Sequence, residues 1–214
     1  MKRTYLFDFD GTLVDSMPSF VSVMLRILDE SKIPYGEDIV RIITPLGYRG
    51  TAEYFRTLGL REETEAPIKR MNDYARDAYF YTIPAKAGVE ETLRAMKARG
   101  DSLNVLTASP HTVLDPCLKR VGLWELFDHV WSCDDFSTTK ADPEIYRRAA
   151  GRLHCDVEKM IFVDDNLGAV RTAKRAGAFS CGIFDATSAS DAPLFRAEAD
   201  GYAECFAELL DLNP

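Results

Sequence analysis

MKRTYLFDFDGTLVD, residues 1–15, is the stretch from which the rest of the chain can be read. Tyr5, Leu6, Phe7 and Phe9 make a short β-rich run that ends in two aspartates, Asp8 and Asp10, and breaks at Gly11. Charges here are out of place, because ionised carboxylates at the end of a buried strand are costly unless a cation or chemistry compensates them. Strand side chains alternate faces, so Asp8 and Asp10 share one, and Gly11 lets the backbone turn sharply after them. Alone, the string is also compatible with a plain strand end and turn, for which Asp and Gly are common residues.

Working outward, residues 15–84 contain no convincing strand. Phe20, Val23, Met24, Ile27 and Leu28 recur at helical spacing, which predicts a helix over 17–31. Further helices are expected around Ile39–Ile43, over Thr51–Leu58 and over Ala66–Tyr81, with Leu46-Gly47-Tyr48-Arg49-Gly50 as a turn between two of them. From Pro84 onward the pattern alternates. Helices are predicted over 88–99, 111–121, 143–153, 166–176 and 203–211, and strands at 103–106, 130–132, 160–163 and 179–184. Alternation of this kind argues for a doubly wound, Rossmann-like α/β parallel sheet covered on both faces. The expected domains are an α/β core of residues 1–14 and 85–214, with residues 15–84 inserted as an all-helical domain.

The 214 residues carry 26 Lys and Arg against 34 Asp and Glu, a net charge of −8, with no basic cluster. Nucleic acid and anionic membrane surfaces are therefore unexpected partners. No apolar run is long enough for a membrane span. Five scattered cysteines without a C-x-x-C pair, and no signal peptide, suggest reduced thiols and a cytoplasmic location. The three histidines lack metal-ligand spacing.

In an open α/β sheet, ligands bind beyond the carboxyl ends of the strands. Three predicted strands end in polar residues: Asp8 and Asp10; Thr107 and Ser109; Asp164 and Asp165. A common edge holding four carboxylates and two hydroxyls reads as a site rather than as unrelated turns. Four carboxylates need a cation, and an all-oxygen donor set suits a hard ion such as Mg²⁺, commonly bound together with phosphate oxygens.

Asp8-Phe9-Asp10-Gly11-Thr12-Leu13, then Thr107, Lys140 and Asp164-Asp165 in that order, resembles the haloacid dehalogenase superfamily, and within it the phosphoglycolate phosphatase and β-phosphoglucomutase subgroup. The resemblance covers about residues 1–14 and 85–185, and the helical insert sits where that family places its cap. It implies a Mg²⁺-dependent phosphatase acting on a small phosphorylated metabolite. Asp8 would be the nucleophile and a metal ligand. Asp10 would be the general acid/base, giving its main-chain carbonyl to the metal. Thr107, the Ala108 N–H and Ser109 would hold phosphoryl oxygens, and Lys140 would neutralise charge. Asp165 would ligate the metal and Asp164 would do so directly or through water. Thr107 and Ser109 also suit capping of the following helix, and Lys140 by itself reads as a solvated lysine. Ala141 replaces the usual proline after that lysine, and Ala169 stands where the family's phosphatases often carry another Asp. Arg49 could recognise an anionic group of the substrate through its planar fork, or sit on a solvated face. The alternatives to a hydrolase are a sugar-phosphate mutase using the same aspartyl-phosphate and a non-catalytic module that binds phosphorylated metabolites.

Overall fold

The structure, a computed structural model, describes residues 2–214. After β1 (Thr4–Phe7) the chain makes α1 (Met17–Glu30), α2 (Ile39–Ile43), α3 (Gly47–Thr57) and α4 (Glu65–Tyr81). It continues through α5 (Val89–Ala98), β2 (Ser102–Thr107), α6 (His111–Arg120), β3 (His129–Ser132), α7 (Glu144–Arg152) and β4 (Met160–Asp164). The remaining elements are α8 (Leu167–Ala176), β5 (Phe179–Ile183), α9 (Ala192–Glu198) and β6 (Gly201–Ala203), followed by a 3₁₀ segment, Phe206–Asp211. Contacts divide the chain into two compact units, Met1–Asp15 with Pro84–Pro214, and Ser16–Ile83.

The first unit is built on one six-stranded sheet in the order β3-β2-β1-β4-β5-β6, with every neighbouring pair parallel. β1 lies inside it and is buried on both faces, which is why its sequence is continuously apolar rather than alternating. Leu6 points into a cluster with Leu106, Phe162, Ile145, Tyr146 and the alanines of α8. Tyr5 and Phe7 face the other way, and Phe7 stacks on Phe206 at 5.9 Å. Parallel register puts Phe7 beside Val105 and Val163, so the residues that follow them emerge together at one edge.

The second unit is wholly helical. Met24, Ile27 and Leu28 of α1 pack with Ile39 and Ile43 of α2, Ala52 and Phe55 of α3, and Met71 of α4. The 3.6-residue spacing that predicts α1 is the spacing of its buried side chains, Val23, Met24, Ile27 and Leu28.

Two expectations are corrected, and one element was missed. The turn expected at 46–50 is helical from Gly47, because Gly47, at φ +62°, redirects the chain out of a 3₁₀ turn directly into α3. The helix expected over 203–211 is instead β6 followed by a 3₁₀ segment, since Gly201–Ala203 extends the sheet by pairing with Cys181–Ile183. α9 was not anticipated: Phe195 is its one buried side chain, too little to make a periodic stripe. No helix among the described residues is long and apolar enough to cross a membrane.

Candidate active site

The site is assembled from strand ends. Asp8 continues β1 by donating its N–H to Val163 O, and Asp164 closes β4, so their side chains start from adjacent strands. Asp165 follows, and one oxygen from each of Asp8, Asp164 and Asp165 falls within 4.8 Å of the others, all three residues being buried. Lys140 reaches in from the loop before α7, with Nζ 2.8 Å from Asp8 Oδ1 and 2.7 Å from Asp164 Oδ2. Its main chain is anchored by Tyr146, whose single hydroxyl proton is shared between Lys140 O at 3.0 Å and Ala169 O at 3.2 Å. The spacing from lysine to tyrosine is therefore a structural clasp.

Burial and the neighbouring carboxylates push Asp165 up to about 8, and Asp164 is raised for the same reasons despite Lys140. The lysine has the opposite response. Asp164 and Asp8 outweigh its burial and hold it protonated. Both oxygens of Asp164 are engaged, Oδ2 by Lys140 and Oδ1 by the Asn166 N–H at 2.7 Å. Asp8 Oδ1, in contrast, is buried with the charge contact to Lys140 but no well-directed hydrogen bond. A buried carboxylate oxygen left in that state, beside two more carboxylates and only one cation, is what a hard divalent ion would complete. The donor set fits Mg²⁺.

Gly11 and Thr12 shape the other wall. Gly11 has φ +70°, and a Cβ there would lie 2.4 Å from Asp165 Oδ2, so only glycine permits this approach. Thr12 Oγ1 donates to Asp165 Oδ1 at 3.0 Å and accepts the Asp165 N–H at 3.2 Å, locking that carboxylate against the turn. Asp10 is not among the three clustered carboxylates. Its Oδ2 accepts a 2.6 Å hydrogen bond from Ser109 Oγ. The Ser109 N–H donates in turn to Thr107 Oγ1 at 3.1 Å, and Thr107 is buried while Ala108 is exposed. The structure thus brings Asp8, Asp10, Thr107, Ala108, Ser109, Lys140, Asp164 and Asp165 to one sheet edge. Ser109, expected on phosphate, has its hydroxyl on Asp10. Arg49 belongs to the helical unit, where Nη2 donates to Glu65 Oε1 at 2.7 Å and the side chain is 64% exposed.

Sequence reasoning assigned no role to Thr12, Asn166, Lys86 or Asp185. Thr12 and Asn166 adjoin the motifs and could have been flagged by position. Lys86 and Asp185 have no local signal. They meet at 3.0 Å, at the end of β5.

Residues 5–183 match the family model described as haloacid dehalogenase-like hydrolase. A "Phosphorylated carbohydrates phosphatase" from Thermotoga maritima is 29% identical over 173 residues, spanning 80% of each chain. The Bacillus velezensis protein named "Pyrophosphatase PpaX" is 31% identical over 180 residues, 83% of this chain and 81% of its own. Among solved structures, a HAD family hydrolase from Deinococcus radiodurans with bound phosphate and sodium shares the fold, with a TM-score of 0.81 at 24% identity over 97% of this chain and 93% of its own.

Proposed function

The chain belongs to the haloacid dehalogenase-like hydrolase family, and from that premise we propose that it is a Mg²⁺-dependent phosphatase that hydrolyses a small phosphorylated metabolite through a phosphoryl group held on Asp8. The observation that carries this reading is Asp8 itself: a buried carboxylate oxygen 2.8 Å from a lysine ammonium, free of directed hydrogen bonds, at the edge where Asp164 and Asp165 converge. Relatives named as phosphatases of phosphorylated carbohydrates and of pyrophosphate support a phosphorylated small molecule as substrate.

In this reading an Asp8 oxygen attacks phosphorus and the bond to the leaving oxygen breaks, giving an acyl phosphate. Asp10 protonates the departing oxygen, and then takes a proton from the water that attacks the acyl phosphate to release phosphate and restore Asp8. Thr107 and the Ala108 N–H hold phosphoryl oxygens, and Lys140 offsets the charge that gathers between phosphate and Asp8. Ser109 steadies Asp10. Mg²⁺, held by Asp8, Asp165 and the Asp10 carbonyl, with Asp164 directly or through water, would neutralise charge on the phosphoryl oxygens as a Lewis acid. In the helical unit we assign Arg49 to recognition of an anionic group on the substrate, where its exposed fork would exchange Glu65 for the ligand.

The test is a panel of phosphomonoesters, including phosphorylated sugars and p-nitrophenyl phosphate, assayed with Mg²⁺ for released phosphate. Wild-type protein is expected to hydrolyse several members. Asp8→Asn should lose at least about 10³-fold in kcat while keeping its thermal midpoint, because shape is retained and the nucleophilic charge is gone. A panel without any released phosphate overturns the hydrolase reading, and isomerised sugar phosphate in its place would replace it with a mutase.

A further inference from the structure

Lys86 is unused by the chemistry above, yet it grips the catalytic turn with both main chain and side chain. It sits where the sequence re-enters the α/β unit, just past Pro84. Its N–H donates to Leu13 O, and the preceding Ala85 forms an antiparallel bridge with Val14. Its side chain is only 18% exposed. An ammonium has three donors, and here each has an acceptor: Gly11 O at 2.6 Å, Phe184 O at 2.8 Å and Asp185 Oδ2 at 3.0 Å. Desolvating an ammonium is costly, so a lysine that served only as surface would leave its head in water.

What the ammonium holds is specific. Gly11 O belongs to the residue that follows Asp10. The same turn is fastened internally by the Gly11 N–H to Val14 O and by the Leu13 and Val14 N–H groups to Phe9 O. On its other side Gly11 is wedged against Asp165 with no room for a Cβ. Lys86 therefore ties this turn to the end of β5 at Phe184 and Asp185, and Asp185 is itself fixed by the Thr187 N–H and hydroxyl at 2.9 and 2.6 Å. The Asp10 carboxylate is held by Ser109, and the carbonyl of the next residue, Gly11, is held by this lysine.

We infer that Lys86 is a positioning residue for the proposed reaction, holding the Asp10–Gly11 turn so that Asp10 can deliver a proton to the leaving oxygen. The inference rests on the phosphatase reading. Lys86 acts through the acid rather than through the nucleophile or the phosphate cradle, so its loss should weigh on substrates whose leaving group needs protonation. An alkyl phosphomonoester expels an alkoxide and depends on the acid, whereas p-nitrophenolate departs without one.

The experiment compares kcat/KM, which covers the steps through cleavage of the substrate's phosphorus–oxygen bond, for an alkyl phosphomonoester that wild-type protein hydrolyses and for p-nitrophenyl phosphate. In Lys86→Met the alkyl value is expected to fall about 10- to 100-fold, since small misplacements of a catalytic group cost that much. The p-nitrophenyl value should fall less than about threefold, and the Kd for inorganic phosphate should stay within the same margin. Lys86→Gln, which keeps an amide donor near the same place, should lie between wild type and Lys86→Met in the same ratio, and supplies the comparison if the methionine variant does not fold. Equal losses on both esters, or no loss on the alkyl ester, would overturn the assignment. An inactive wild-type protein would instead count against the phosphatase reading, so the two failures are told apart.

Discussion

Gly11 shows how narrowly the site is built. Its positive φ alone makes alanine costly by about 1–2 kcal/mol, and the added methyl would also displace the Asp165 carboxylate. Gly11→Ala is therefore expected to lower the thermal midpoint and to weaken Mg²⁺-dependent phosphate release by more than about tenfold; calorimetry and a metal titration of activity would check it, and a variant with unchanged metal dependence would refute the packing argument. This glycine was legible in the sequence because it stands inside a motif. Thr12 was visible but mute, since its partner Asp165 lies 153 residues away and hydrogen bonds over that separation leave no local pattern. Lys86, 75 residues from Gly11, is silent for the same reason, and by composition alone it is one lysine among others.

At the scale of elements, the N-terminus of α6 is fixed by a histidine between two acids. His111 Nδ1 lies 2.7 Å from Asp115 Oδ1 within the helix, and Nε2 lies 2.8 Å from Asp135 Oδ2 in the 3₁₀ turn after β3. Both ring nitrogens face carboxylates, so both contacts are hydrogen bonds only when the ring is the imidazolium. The hydrogen bonds that the ring donates to Asp115 and Asp135 accordingly raise its pKa above the ordinary value. The folded value is the higher one, so the stabilisation is fully present below the unfolded pKa of about 6.5 and is lost as pH rises through the folded value. The side chain is 39% exposed, which limits the effect to about 0.5 kcal/mol. His111→Gln should then be destabilised against wild type in denaturant titrations at mildly acid pH and indistinguishable from it at alkaline pH; a pH-independent difference would exclude the ion pairs. Elements were legible where a buried face has a period, as in α1 and α5, or where a strand is one continuous apolar run up to its last residue, as in Met160–Asp164. They were not where one anchor suffices, as in α9 with Phe195, or where a three-residue strand borrows its stability from the sheet edge, as in β6.

For the whole molecule, stability is linked to pH and metal through the buried carboxylates that meet at the sheet edge, Asp8, Asp164 and Asp165. Asp164 and Asp165 bind protons more tightly in the folded state than in the unfolded one. Without metal, stability should consequently fall as pH rises from about 4 toward 8. Mg²⁺ binds the deprotonated carboxylates, so at a fixed concentration it should raise the thermal midpoint more at pH 8 than at pH 6, and a concentration a hundredfold above its Kd adds about 2.7 kcal/mol of stability. Scanning calorimetry with and without the ion at the two pH values measures this, and equal shifts would argue against the carboxylate cluster as the binding site. The parallel fold was readable because alternating strand and helix signals leave few other arrangements, whereas the order of strands was not, being set by crossovers that no local residue encodes.

That order has a consequence in time. β1 pairs with β2 and β4 and with no strand nearer in the chain, so Tyr5 meets Ile161 only after about 150 further residues exist. At ordinary synthesis rates the nucleophile's strand waits roughly 8–30 s for its second neighbour. Throughout that interval its apolar edge has no native strand on the β4 side. The site is thus among the last parts of the protein to acquire its native surroundings, although the strand bearing Asp8 is made before either of its neighbours.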